Sequence, residues 1–141
     1  MLNDRVAFRT VAVSSEPHQE VSLSTNPAIA LCALALEKKA QDPVILDVAE
    51  LVSYCDHFLL LSGNNARQVR AIAQYLREHG KTDLGLTVLS VEGVESGRWV
   101  LIDFGDVVVH VFDLEMRGFY DLEGLWADAP RVDAPETQLA V

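Results

Sequence analysis

The sequence has little of several features that would indicate particular classes of protein. Only two of its 141 residues are cysteines, Cys32 and Cys55. No disulfide framework follows from them, and a reducing compartment is the default expectation. The longest apolar run, residues 28–36, is far too short to span a bilayer, and the first residues lack the basic and apolar regions of a secretion signal. The sequence therefore predicts a cytoplasmic protein without a membrane segment.

Basic residues are also scarce. Eleven Lys and Arg stand against 21 Asp and Glu, for a formal net charge of −10. The imbalance is strongest after residue 113, where Arg117 and Arg131 are the only basic side chains. An acidic surface repels phosphate backbones, so direct nucleic-acid binding is disfavoured. The same surface would attract a basic partner and speed the encounter.

The residue patterns of common active sites are missing as well. No serine lies in a recognisable nucleophile turn, no cysteine has a neighbouring base, and the four histidines lack metal-ligand spacing. Asp103-Phe104-Gly105 matches a kinase tripeptide, but no other kinase motif accompanies it, and a hairpin turn explains it better. We therefore predict that the chain is not an enzyme and has no catalytic residue, metal site or cofactor.

One turn keeps a nucleotide-binding alternative open. Ser62-Gly63-Asn64-Asn65 lies between a predicted strand and a predicted helix. Backbone amides at such a junction can bind an anion, and nucleotidyltransferases use a similar turn together with paired carboxylates. Asp47, Asp103 and Asp106 do not form the alternating pair that such sites need. Ordinary helix capping is the favoured interpretation.

The chain has enough apolar residues for one domain with a sizeable core. We predict a poorly ordered extension at 1–25, a domain at 26–126 and a tail at 127–141. Asn26-Pro27 starts a helix of about 27–40. Asn65 and Gln68 start a second helix, which Gly80 ends. Strands are expected at 44–48, 58–63, 86–91, 99–103 and 107–112, with a turn over Phe104-Gly105, and a helical stretch covers 113–126. This order predicts an α/β fold, with a mixed β-sheet flanked by helices.

A group of aromatic and acidic residues in the last third is the best candidate for a binding surface. Tryptophan and tyrosine are favoured interface anchors, although core packing and surface exposure are equally expected for Trp99. Core packing is the preferred interpretation for Phe119 and Leu125. The candidate binding residues from this group are Trp99, Asp103, Asp106, Tyr120, Asp121, Glu123 and Trp126.

A set of short motifs extends over about residues 27–130. They are Leu46-Asp47-Val48, Arg67-Gln68-Val69-Arg70-Ala71-Ile72-Ala73, Val91-Glu92-Gly93, Gly97-Arg98-Trp99-Val100-Leu101, Gly105-Asp106-Val107, Val109-His110-Val111-Phe112, Phe119-Tyr120-Asp121-Leu122-Glu123 and Leu125-Trp126, among others. Together these motifs resemble the ribosomal silencing factor family, also called the Iojap family. Small departures exist, since Cys55-Asp56-His57-Phe58 stands where the family usually has Thr-Asp-Tyr-Phe.

The resemblance implies a nucleotidyltransferase-like fold without the catalytic carboxylates. It also implies binding to the large ribosomal subunit through that subunit's ribosomal protein fourteen. Such binding would block joining of the small subunit and repress translation when nutrients are scarce. A homodimer is expected in the free form. Glu92 then joins the candidate partner-binding residues, with Trp99 as the central anchor. The alternatives are a nucleotidyltransferase-like nucleotide-binding enzyme and a plain dimeric scaffold.

Overall fold

The computed structural model describes residues 26–135 and shows an α/β fold built on one mixed sheet. The predicted extension at 1–25 lies outside the described residues, as do residues 136–141. The predicted fold class is confirmed, while its relation to nucleotidyltransferases stays a prediction. The strands are β1 Gln41–Asp47, β2 His57–Gly63, β3 Ser90–Glu92, β4 Trp99–Asp103, β5 Val107–Asp113 and β6 Arg131–Val132. The helices are α1 Pro27–Glu37, α2 Ala66–Leu84, α3 Leu114–Tyr120 and α4 Leu122–Leu125.

The strands lie in the order β3-β4-β5-β2-β1-β6. The central pair, β2 and β5, is parallel, with Phe58 opposite Val108 and Leu60 opposite His110. All other neighbouring strands are antiparallel. Both central strands are almost completely buried. They are covered on both faces, which explains why their sequences are continuous apolar runs and not alternating ones.

The two longer helices, α1 and α2, pack on the same face of the sheet. Helix α1 begins as predicted: the Asn26 side chain accepts a hydrogen bond from the Ala28 amide at 2.9 Å, and Pro27 takes the first helical position. Helix α2 also begins as predicted, because the Asn65 side chain accepts from the Gln68 amide at 2.9 Å. Its predicted apolar stripe is buried against α1 and the sheet and consists of Val69, Ile72, Ala73 and Leu76.

The predicted end of α2 at Gly80 is wrong. The helix continues to Leu84 and ends at Gly85, which has a φ of 71°. Gly80 lies inside the helix, where a Cβ atom would come within 3.0 Å of the Phe104 ring. The glycine therefore permits close packing of the helix on the β4–β5 turn. The strand predicted at 86–91 is wrong in its bounds, since residues 86–89 form no regular element and β3 covers Ser90–Glu92.

The sheet extends past the predicted end of the domain at residue 126. Strand β6 pairs with β1, and the Asp47 amide donates to the Pro130 carbonyl at 2.8 Å. Ala129 is buried beneath this segment. The tail predicted at 127–141 therefore begins too early, because the residues up to Val132 belong to the fold. A proline cannot donate a hydrogen bond, but its carbonyl still accepts one, and a two-residue strand is too short for an alternating pattern to reveal.

Candidate protein-binding face

Residues 26–135 leave half of one sheet face uncovered. Directly paired residues of neighbouring strands lie on the same face, and Glu92 is opposite Leu101, which is opposite His110. Helices α1 and α2 cover the other face, while α3 packs over β5 and β2 and α4 adds Leu122 to the buried cluster on the same side. The β3–β4 half keeps its side chains at the surface. We call this half the open face, and it consists of Ser90, Glu92, Trp99, Leu101 and Asp103.

Trp99 is the central aromatic residue of the open face and is only partly buried. Its ring stacks on Phe112 with centroids 4.9 Å apart and meets the Tyr120 ring at 4.6 Å. Its Nε1–H donates to Nδ1 of His110 at 3.1 Å. Three contacts thus hold the indole in one orientation while part of it stays accessible. An anchor ordered in advance loses little side-chain entropy on binding.

His110 is the buried residue that accepts the hydrogen bond from Trp99. It is 6% exposed, and its ring meets the edge of Phe58 at 5.1 Å. Burial lowers the pKa of His110 to about 4, so the imidazole is neutral at pH 7. A neutral ring can accept the Trp99 hydrogen bond at Nδ1, which places its own proton on Nε2. Among the described residues, Nε2 has no hydrogen-bond partner.

Three predicted carboxylates lie on or beside the open face. Glu92 is exposed on the edge strand β3. Asp103 ends β4, and its side chain accepts from the Gly105 amide at 2.8 Å, which confirms the predicted turn; Gly105 has a φ of 95°. The Asp106 side chain is exposed, while its carbonyl accepts from the Asp56 and His57 amides. Glu92 and Asp103 are therefore the neighbours of Leu101 on the open face. They lie on the side of Trp99 that faces away from α3.

The other two predicted carboxylates have partners within the fold. Asp121 separates α3 from α4 with a φ of 47° and accepts from the Gly124 amide at 3.1 Å. Glu123 accepts from Nη2 of Arg117 at 2.8 Å. The hydrogen bond from Arg117 lowers the pKa of Glu123. Both acids lie beyond Tyr120 on the helical side of the site.

The predicted aromatic residues are not all exposed to the same degree. Tyr120 is 44% exposed, whereas Trp126 is partly buried with its ring edge-on to Phe58 at 5.6 Å. The prediction that Phe119 and Leu125 pack in the core is wrong, since they are 74% and 71% exposed. In the seven-residue helix α3, adjacent residues point about 100° apart. Tyr120 contacts Trp99, so Phe119 points outward, and its ring lies 5.0 Å from the Tyr120 ring.

Sequence reasoning also missed Arg117. This residue is buried, and its Nη1 donates to Oγ of Ser62 at 2.8 Å. Its isolation in an acidic segment is the sequence signal that could have identified it, because an ion pair is the usual way to bury an arginine. The contact also occupies Ser62, the first residue of the candidate nucleotide-binding turn. Within that turn, the Asn64 amide donates to the Gln68 side chain at 2.6 Å, which confirms helix capping.

Two further features concern the part of the chain between residues 26 and 135. No helix there is long and apolar enough to cross a membrane. Nor do its His, Cys, Asp and Glu side chains form a group of three or more placed to hold a metal ion. What the described residues do present is an oriented tryptophan on an open sheet face with carboxylates on both sides. This defines an α/β protein with a candidate surface for binding another protein.

Comparison with known proteins identifies the family. The family model described as "Ribosomal silencing factor during starvation" matches residues 22–140, and the chain belongs to this family. It is 43% identical to the ribosomal silencing factor RsfS of Bacillus subtilis over 97 residues, covering 69% of this chain and 81% of the relative. It is 32% identical over 99 residues to a Mus musculus protein named mitochondrial assembly of ribosomal large subunit protein 1, covering 68% of this chain and 43% of that protein. A crystal structure of a Chromobacterium violaceum protein matches with a TM-score of 0.66 and 36% identity, covering 85% of this chain and 91% of that one.

Proposed function

We propose that this protein binds the large ribosomal subunit through the open face and thereby prevents the small subunit from joining. Its docking partner is the basic ribosomal protein fourteen of the large subunit, and the effect is repression of translation when nutrients are limited. The family assignment supports a ribosomal role. The observation that carries the docking surface is Trp99, held in one orientation by His110, Phe112 and Tyr120 while it remains partly exposed.

The proposed interface has an apolar centre and an acidic rim. Trp99, Leu101 and Tyr120 supply the centre, and Trp126, which directly follows α4, extends it. Aromatic residues near the middle of an interface contribute most of the binding free energy. Charged groups at the rim mainly guide the approach of an oppositely charged partner. The rim consists of Glu92, Asp103 and Asp106 on the strand side, and Asp121 and Glu123 on the helical side.

This function requires no chemical step. The donors and acceptors of the Ser62–Asn65 turn are used within the fold, by Arg117 and by the cap of α2. We therefore propose a non-enzymatic role. We also propose a homodimer in the free protein, because Phe119 and Leu125 expose apolar surface that a second copy would cover. Cys32 and Cys55 are free and buried, which supports action in a reducing compartment such as the cytoplasm.

Truncation of the central anchor tests the docking surface. We expect Trp99→Ala to weaken binding to purified large subunits by about 30-fold, equivalent to about 2 kcal/mol. Trp99→Phe should lose less, because it keeps a ring over Phe112. The measurement is co-sedimentation with large subunits at a series of protein concentrations, with circular dichroism to verify folding.

The matched control is Tyr75→Ala. Tyr75 is a partly exposed aromatic residue of α2, which packs on the face of the sheet opposite the open face, so its truncation should leave the affinity unchanged. A folded Trp99→Ala protein that binds as well as the Tyr75→Ala protein would show that the anchor lies elsewhere.

The blocking activity is tested directly with both subunits. Adding the protein to large subunits before small subunits should reduce the joined particles on a sucrose gradient, and the protein should travel with the large subunit. If joined particles form at the normal level while the protein remains bound, the protein binds ribosomes without blocking them.

Removing a rim charge should change mainly the rate of association. Glu92→Gln is expected to slow association with the large subunit about threefold at low salt, with little change in dissociation, and high salt should abolish the difference. Glu95→Gln is the control, since Glu95 is also exposed but lies in the β3–β4 connection. Stopped-flow association at two salt concentrations measures both. An equal effect of the two substitutions would mean that net charge matters and the position of Glu92 does not.

A further inference from the structure

The outward side of α2 carries a row of basic side chains that the proposed docking surface does not use. Arg67, Arg70, Arg77 and Lys81 are all exposed. Their spacings of three, seven and four residues place them on one side of the helix. At 1.5 Å per residue the row is about 21 Å long. We call these four residues the basic stripe. It lies across the sheet from the open face, because α2 packs on the opposite side.

Within the described part of the chain, the positive charges of the basic stripe are not neutralised by ion pairs. Arg98 and Arg117 form ion pairs with carboxylates, but no such pair involves the stripe among residues 26–135. Arg70 donates instead to a neutral group, the Glu95 carbonyl, at 3.1 Å. Glu78 lies beside the row, and its carboxylate accepts from the Gln74 side chain at 2.8 Å. A protein with a net charge of −10 thus presents one locally positive surface.

A shallow cleft adjoins the C-terminal end of the stripe. Its volume is about 240 Å³, and it is lined by Arg77, Lys81, Leu86, Thr87 and Val88. Leu86 and Val88 make much of this lining apolar. Arg77 and Lys81 are therefore the residues of the cleft that would meet a phosphate group, to which arginine can bind in a bidentate manner.

We infer that the basic stripe contacts the phosphate backbone of a segment of ribosomal RNA on the large subunit, on the side of the domain that faces away from the docking protein. This inference rests on the proposed function, which brings the protein next to RNA. Charge complementarity favours RNA as the occupant, because an RNA backbone presents negative charge at regular intervals along a 21 Å row, whereas a single carboxylate meets one cation. The net negative charge opposes nucleic-acid binding by the free protein, so the contact forms only once the open face is docked.

Salt dependence of binding distinguishes this contact from protein docking. Removing one cation that binds a phosphate lowers the slope of log affinity against log salt concentration by about 0.7 to 0.9. We expect the double variant Arg77→Gln, Lys81→Gln to lower the slope for purified large subunits by about 1.4 to 1.8. The charge-matched control is Lys38→Gln, Lys39→Gln, which removes two exposed cations outside the stripe and should leave the slope nearly unchanged.

The possible outcomes separate the two proposals. If the slope of log affinity against log salt concentration falls for the Arg77→Gln, Lys81→Gln variant but not for the Lys38→Gln, Lys39→Gln control, the result supports the RNA contact. An unchanged slope with intact binding overturns the inference and leaves the proposed function standing. Failure of the unsubstituted protein to bind large subunits overturns the proposed function, and the inference falls with it. If sedimentation equilibrium shows that the stripe variant weakens a homodimer while the slope is unchanged, the occupant is a second copy and the RNA contact is wrong.

Discussion

Replacing Arg117 with methionine should lower the free energy of unfolding by about 3 kcal/mol. The guanidinium belongs to a residue that is 8% exposed, and it joins three parts of the fold. It donates to the Glu123 carboxylate at 2.8 Å, to Oγ of Ser62 at 2.8 Å and to the Asp42 carbonyl at 2.7 Å. Methionine fills similar volume but leaves all three acceptors without their donor. The lower part of the range for broken buried pairs applies, because the Glu123 side chain is 24% exposed and can still be hydrated.

Urea unfolding followed by circular dichroism measures this loss. Arg98→Met is the matched control, since Arg98 also pairs with two carboxylates, Asp113 at 3.0 Å and Glu115 at 2.6 Å, but on the surface. Surface pairs contribute at most about 1 kcal/mol. Arg117→Lys should fall between the two variants, because it keeps the charge and loses the planar fork. A cost for Arg117→Met no greater than that for Arg98→Met would show that the buried network does not stabilise the fold.

Acid should destabilise the protein through His110 before the carboxylates titrate. The pKa of this residue is about 4 in the folded protein and 6.5 for a solvated histidine. Between these values the unfolded chain binds a proton that the folded chain does not, so the free energy of unfolding falls as the pH falls from 6.5 to 4. A difference of about 2.5 pKa units corresponds to about 3 kcal/mol in total. Asp113 and Glu123 have lowered pKa values, so their contributions disappear only at lower pH.

The variant His110→Asn isolates this effect. Its side-chain oxygen can take the place of Nδ1 and accept from Trp99, but it does not titrate. We expect urea unfolding of this variant to change little between pH 7 and pH 4.5, whereas the unsubstituted protein loses about 2.5 kcal/mol. His79→Asn serves as the control and should retain the loss, because His79 lies on α2, outside the aromatic cluster of Phe58, Trp99, His110 and Phe112. An equally large loss in the His110→Asn protein would assign the acid sensitivity to other groups.

The behaviour of His110 also bears on docking. Protonation of the imidazole removes the acceptor at Nδ1. The hydrogen bond from Trp99 therefore forms only while His110 is neutral. Burial removes this histidine from water, which lowers its pKa and keeps it neutral at pH 7, and the rings of Phe58, Trp99 and Phe112 lie around it. The orientation of the proposed anchor is therefore a property of the aromatic cluster and not of Trp99 alone.

Helix starts and the hairpin turn were predictable from the sequence because their causes are local. The caps Asn26 and Asn65 bond to amides two and three residues away, and Gly105 supplies the positive φ that the turn requires. The stripe of α2 follows from helical periodicity. The end of α2 was not predictable in this way, because Gly80 is tolerated inside the helix by its contact with Phe104, a residue far away in the chain.

For the candidate site, the sequence identified the residue types and the tertiary structure decided their roles. From the sequence, Trp99 could have been either a core residue or an exposed anchor. The strand register pairs it with Phe112, so one part of its side chain packs in the fold and another part stays at the surface. Glu123 was recognisable as an acid, but not as the partner of a buried arginine. The outward position of Phe119 depends on which side of α3 meets the sheet.

By itself, the sequence determined the family, the mixed α/β fold, the starts of the helices and the acidic, aromatic character of the last third. These properties depend on composition and on contacts within a few residues. Only the tertiary structure decided that β6 joins the sheet, that the β3–β4 face stays open, and that Arg117 joins residues 55 and 75 positions away. Such contacts depend on how distant segments of the chain pack against each other, and that packing cannot be predicted from local sequence patterns.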